Sequence, residues 1–318
     1  MRKLNTLAGA LVAVIVVVLA GCNSAPAASD PYQVLYDANG KWDTVQVNVG
    51  LSAQGGDTTL SLDPSAIKLV VDSNAGKGLV HISLPLAQLH IDAATLGQLG
   101  ITGDTLDLDV LWDGDALYAK APALKSFVQL FLTQAGQTVT GDLGGWLRLA
   151  SKSEFEALAG AAGGGVTPSI APMASAASAA DLKTKAEAAG LVLTLAGTEQ
   201  HAGVDANHVT FTLDWQKFAQ SEYMKSAEAS QAQAFLSAMD GATVKGDVWV
   251  DRNAKRVVGV DIHGTAKDGE KVDVTITAKA PDAGTSFAAP ADAVNVPLMG
   301  MVTQLLSQQL GGSVPSTP

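Results

Sequence analysis

The chain has 318 residues, 47% of them apolar, with 31 acidic against 20 basic side chains and a net charge of −11. It is long and apolar enough to bury a sizeable core, which excludes a disordered chain. The acidity argues against nucleic acid and anionic lipid surfaces as electrostatic partners, and the single cysteine excludes an internal disulfide and any multi-cysteine metal site.

The chain opens with Arg2 and Lys3, an apolar run from Leu7 to Leu19, then Ala20, Gly21 and Cys22. This is the three-part pattern of a secretory signal over residues 1–21. The apolar run is shorter than the ~20 residues that a spanning helix needs. "LAGC" looks like a bacterial lipobox, in which the cysteine thiol is diacylglycerated, the signal is cut before it and the new amino terminus is acylated, for example with palmitate. Residues 22–40 then read as an acylated Cys22 followed by a flexible tether, since "NSAPAASD" is small, polar and contains proline.

A short helix is expected near Tyr32–Ala38. After it "TVQVNVGLSA" alternates, with Val45, Val47, Val49 and Leu51 on one face and Gln46, Asn48 and Ser52 on the other. "TTLSLD", "IKLVVD" and "GLVHISL" read as three further strands, separated by turn compositions rich in Gly, Asn and Pro. Asp113-Gly114 marks a hairpin between Leu106–Trp112 and Ala116–Ala121. "ALKSFVQLFLTQAG" has Leu124, Phe127, Val128, Phe131 and Leu132 at helical spacing and should pack against the sheet. "GGWLRLAS" is a short strand, and Ser153–Ala162 reads as a helix.

Residues 163–180 are a Gly/Ala/Ser-rich insert. A helix in "DLKTKAEAA", strands in "LVLTLAGTEQHAG" and "NHVTFTLD", and a long helix over Trp215–Met239 follow. Strands in "TVKGDVWVD", "RVVGVDIHGTA" and "KVDVTITAKA" come next, and a C-terminal helix with its tail occupies 297–318. Strands in runs with helices between the runs give an α+β fold with a large antiparallel sheet. A sheet this wide tends to curl, which predicts a strongly curved half-open barrel with helices on its concave side. Residues 41–296 are expected to form that domain.

Three stretches resemble one family. "GTEQHAGVDANHVTFTLD" (Gly197–Asp214), "GDVWVDRNAKRVVGVDI" (Gly246–Ile262) and "KVDVTITAKAPDAGTSFAAPADA" (Lys271–Ala293) are similar in order to the strand–turn–strand, the hairpin and the closing strand of the LppX/LprA/LprF/LprG lipoproteins, within the LolA/LolB-like carrier superfamily. The resemblance implies a curved sheet whose concavity, roofed by helices, holds lipid acyl chains. It brings no catalytic residues and no cofactor.

Alternation points to candidate lining residues: Val45, Val47, Val49, Leu108 and Val110 on strands, and Phe127, Phe131 and Leu132 on the apolar helix. Acyl chains need apolar walls without polar pairs, but ordinary core packing gives the same alternation. Ser65 and Lys68 fit an S-x-x-K spacing, yet its companion motifs are missing and Ser65 follows Pro64 between strands, which argues against catalysis. Asp104, Asp107, Asp109, Asp113 and Asp115 crowd one hairpin; their alternation with Leu106, Leu108 and Val110 is that of a solvated face rather than a cation site.

The reading is a non-enzymatic cell-envelope lipoprotein, anchored to a membrane outside the cytoplasm through acylated Cys22. It binds lipid or glycolipid acyl chains, with transport as an extension of that role. The rival is a scaffolding lipoprotein with a filled core that binds an envelope protein partner.

Overall fold

The computed structural model describes residues 30–55, 58–89, 93–98, 101, 103–134, 136–154, 176–221 and 241–296. These group into two units, one within 1–68 and 165–281, the other within 69–164 and 282–318. Cys22, the helix expected at Ser153–Ala162 beyond residue 154, most of the 163–180 insert and the C-terminal helix lie outside the described residues.

In the first unit the strand order is β2-β1-β11-β10-β9-β8-β7. The strands are β1 (Thr44–Gly55), β2 (Thr58–Asp72), β7 (Leu191–His201), β8 (Val204–Leu213), β9 (Thr243–Asp251), β10 (Val257–Thr265) and β11 (Lys271–Lys279). The pairs β1–β11, β11–β10, β10–β9, β9–β8 and β8–β7 are all antiparallel. In the second unit the order is β12-β6-β5-β4-β3-β2, with β3 (Lys77–Pro85), β4 (Thr105–Trp112), β5 (Ala116–Lys120), β6 (Leu147–Ser151) and β12 (Val294–Asn295). Here only the short β12–β6 pairing is parallel among the described pairs. Strand β2 belongs to the first unit through Lys68 and to the second from Leu69. This is the α+β class with a large antiparallel sheet that the alternation predicts.

The first unit buries one face of its sheet under short capped helices. Helix α1 (Pro31–Tyr36) starts at Asp30, whose carboxylate accepts from the Tyr32 N–H at 3.0 Å. Helix α4 (Ala179–Ala188) starts at Ser178, whose hydroxyl accepts from the Asp181 N–H at 3.1 Å, and an Asp181–Lys185 pair at 3.0 Å spans its first two turns. The two helices pack on each other and on β7. Buried Tyr32 ties them to the sheet: its hydroxyl accepts from the Leu193 N–H at 3.3 Å and donates to Glu187 at 3.3 Å. Register stacks the core in rows across the strands, one of them Val49–Ile276–Val260–Val248–Val209–Leu195. In that row Val260, Val248 and Val209 are 0% exposed.

Two expectations need correction. "TTLSLD" and "IKLVVD" form one strand, not two, because Pro64 sits within β2 opposite a residue without a side chain. A Cβ on Gly50 would lie 2.9 Å from the Pro64 ring, so the pair Gly50–Pro64 lets the strand run through the proline. Gln46 shares a face of β1 with Asn48, as the alternation predicts; it is 0% exposed there, and its amide donates to Asn48 at 3.0 Å. The helix from Trp215 ends at Gln220 (α5, Trp215–Gln220), since Ser221 is extended with ψ 165°. Residues 222–240, the rest of that expected helix, lie outside the described residues.

Candidate apolar binding face

The sequence "KGLVHISLP" folds as β3 and pairs with β4 so that each strand sends alternate side chains to opposite faces. One face is polar. His81 Nδ1 lies 2.7 Å from Asp109, and the Ser83 hydroxyl donates to Asp107 at 2.6 Å. That Ser83 hydrogen bond holds the Asp107 carboxyl below its ordinary pKa. Asp113 accepts from the N–H groups of Asp115 at 2.9 Å and Ala116 at 2.8 Å, which closes the turn. The expected solvated carboxylate face is thus a set of cross-strand and turn hydrogen bonds. Among the described residues no group of three or more His, Cys, Asp or Glu could hold a metal.

The other face is aliphatic from Val80 to Leu84 and ends at Gly78 opposite Trp112. Val80 lies opposite Val110, Ile82 opposite Leu108, and Leu84 opposite Leu106. All six are half-buried; none reaches the core. The row continues from Val110 to Ala119 on β5 and Leu147 on β6. There the face is roofed. Leu147 forms a small core with Leu132, Leu143 and Val296, against which Val128 and Phe131 pack. Leu132 and Phe131 belong to α3 (Lys125–Gln134), which follows a 3-10 turn at Pro122–Leu124 lying against β4. One end of the face is covered by a helix, and the other end presents aliphatic side chains in register.

Helix α3 differs in part from its expected role. It docks through Leu132, 3% exposed, but Phe127 is 42% and Leu130 51% exposed. Phe127 stacks on Phe131 with ring centroids 6.5 Å apart. The helix therefore carries apolar side chains on its open side as well as its packed one.

Of the residues singled out from sequence, Leu108, Val110, Phe131 and Leu132 share this face and its roof. Val47 and Val49 pack instead against the filled core of the first unit, with Val45 half-buried on the same strand. Ser65 lies exposed within β2, its hydroxyl donating to Asp63 at 2.6 Å. Sequence reading missed Val80, Ile82, Leu84 and Leu106. Their alternation in "GLVHISL" and "LDLDVLW" was visible; the register that puts them opposite Val110 and Leu108 was not. No helix among the described residues is long and apolar enough to cross a membrane.

No known family matches the chain, and no curated protein matches it. Solved structures do resemble it. The lipoprotein LppX from Mycobacterium tuberculosis has 14% identity and a TM-score of 0.36, covering 82% of this chain and 100% of that one. LprF from Mycobacterium bovis has 13% identity and a TM-score of 0.34, covering 81% and 94%. Both bear names from the family that the sequence resembles. MucB in complex with MucA(peri) has 10% identity and a TM-score of 0.26, covering 84% and 62%. At these values the likeness carries no functional weight, which rests on the chain's own residues.

Proposed function

We propose that the protein is a membrane-anchored lipoprotein of the cell envelope that binds acyl chains of a lipid or glycolipid on the β3–β4 face. The observation that carries this reading is the row of six aliphatic side chains, Val80, Ile82, Leu84, Leu106, Leu108 and Val110, left half-buried beside a helical roof. Six side chains with no polar atom to pair suit a ligand that offers none. Each methylene laid on it contributes about 0.8 kcal/mol, so a chain of roughly ten methylenes supplies several kcal/mol before ordering costs. The lipobox supports the anchor, because two or three acyl chains on one cysteine hold a protein to a bilayer far longer than a single chain does.

Native mass spectrometry of the Asn23–Pro318 chain expressed in bacteria tests the binding. It should show adducts of lipid mass, and Leu108→Asp should remove them, since a carboxylate on this face leaves a charge facing acyl chain. Clean apo mass in the parent protein, with no uptake of a fluorescent fatty acid, sinks the reading. Cys22→Ser tests the anchor separately. The parent should sediment with membranes and partition into detergent, while the variant should leave that fraction. A variant that stays in the membrane fraction removes Cys22 from the account.

The scaffolding reading keeps one observation in its favour: the helix-covered face of the first unit is packed, with Ile262 and Val272 also 0% exposed. It assigns that unit a structural task and leaves the half-buried aliphatic row of the second unit unexplained.

A further inference from the structure

A concavity of about 520 Å³ lies in the first unit, where the aliphatic rows give way to polar side chains at the ends of β7 and β8. Leu195 marks the apolar limit; beyond it the walls carry Thr198, Asp205, Asn207, Arg252, Asn253 and Lys255. The volume is that of a small-molecule site, several times what a bare anion fills. We propose that this cavity binds a phosphorylated polyol, with Arg252 and Lys255 on the phosphate and the amides, hydroxyl and carboxylate on its hydroxyl groups.

Charge points to the phosphate. In a chain of net charge −11, the β9–β10 turn gathers Arg252, Lys255 and Arg256 within five residues. Arg256 is occupied: its guanidinium lies 3.5 Å over the Trp42 ring and 3.9 Å from Asp251. Arg252 and Lys255 line the cavity, and among the described residues neither enters an ion pair. The lining carboxylate, Asp205, is engaged by the Gln200 amide. Two cations against one already bonded carboxylate leave a site that attracts an anion.

The turn is also built before any ligand arrives. The Asp251 carboxylate, 4% exposed, accepts from the N–H groups of Asn253 at 2.8 Å and Ala254 at 2.9 Å. The Arg252 N–H donates to the Asp205 carbonyl at 3.0 Å, fixing the turn to β8. The Gly40 N–H donates to the Lys255 carbonyl at 2.6 Å. Lys255 itself has φ +52°, a left-handed conformation that glycine or asparagine adopts at lower cost. A lysine thus lines the cavity at the expense of backbone comfort.

That conformation supplies a clean variant. Lys255→Gly removes the charge while suiting the backbone, and Arg252→Ala removes the second cation from an exposed position. The full chain in non-ionic detergent would be titrated calorimetrically with glycerol 3-phosphate and glucose 6-phosphate. A second arm would use mixed micelles containing phosphatidylglycerol, which presents the same chemistry on a lipid. Saturable binding in either arm is expected, weakened about tenfold or more by each variant; the arm that saturates identifies the source. The proposal is overturned by absence of binding in both arms or by binding that neither variant weakens. Inorganic phosphate binding as tightly as the polyol esters also overturns it, because Thr198, Asn207 and Asn253 would then contribute nothing. The site shares no residue with the β3–β4 face, so Leu108→Asp should leave this titration unchanged.

Discussion

Gly246→Ala should destabilise the protein by about 3 kcal/mol, at the severe end of overpacking changes. Gly246 lies in the row Leu51–Val274–Ile262–Gly246–Phe211–Leu193 across the first unit. The missing side chain is filled by its neighbours. A Cβ there would meet the Asp261 carbonyl oxygen of β10 and the Phe211 ring, whose nearest carbon would be 2.6 Å away. Neither can yield cheaply, because one is ladder backbone and the other is a ring 2% exposed. Guanidinium unfolding should show a lower midpoint at unchanged slope. Gly78→Ala is the matched control, since a Cβ there comes no nearer than 3.8 Å to the Val70 carbonyl. Equal midpoints for the two variants would refute the row-packing account.

Trp249→Ala should cost about 3 to 5 kcal/mol. Trp249 is 8% exposed, yet it sits on the polar face of β9, directly opposite His208. Its ring stacks on His201 at 4.1 Å and on His208 at 5.0 Å, and its N–H donates to Glu199 at 2.5 Å. His208 is held in turn by Asp247 at 2.6 Å. The stack shields His201, and burial pushes that imidazole's pKa below the ordinary 6.5. The sign follows. A histidine depressed in the folded state contributes stability above the unfolded pKa and loses it as pH falls below 6.5. Burial raises the Asp261 carboxyl on the same face, and its contribution runs the other way: present below the ordinary 3.8, lost as pH rises through the raised value. Trp249→Ala admits water to the His201 ring, so the loss of stability between pH 7 and 5 should be smaller in the variant than in the parent. An unchanged pH profile would mean that the tryptophan does not shield the imidazole. Trp249→Phe keeps an aromatic ring in the stack but loses the bond to Glu199, about 1 kcal/mol, and part of the buried indole, so it should fall between the parent and Trp249→Ala.

Alternation in the sequence identified which residues of β1 and β4 share a face, because strand side chains repeat every two residues whatever lies around them; β8, β9, β10 and β11 were legible as strands. It located the Asp113-Gly114 hairpin from local turn chemistry alone. Depth was not legible. Val47 and Leu108 alternate alike and are both half-buried, but Val47 packs against a buried core cluster and Leu108 belongs to none, a difference that a single strand does not encode. Pro64 read as a break because local propensity cannot see Gly50 across the ladder. The full burial of Gln46 was not legible either, because one strand alone does not show what covers its face. The polar cavity was missed for a similar reason: Thr198, Asn207 and Arg252 are ordinary turn and strand-end residues until pairing assembles them.

Strand β4 serves two media through alternate residues, with Asp107 and Asp109 bonded on one side and Leu106, Leu108 and Val110 on the other. Inserting or deleting one residue within β4 would exchange the sides for the residues beyond it, carrying carboxylates to the aliphatic row and aliphatics to the polar face. Side chains along this strand can therefore drift in identity during evolution while their spacing cannot. Homologues should vary freely in which aliphatics they carry there and in the length of the connection from β3, yet keep the spacing from the Leu106 position to the Val110 position fixed.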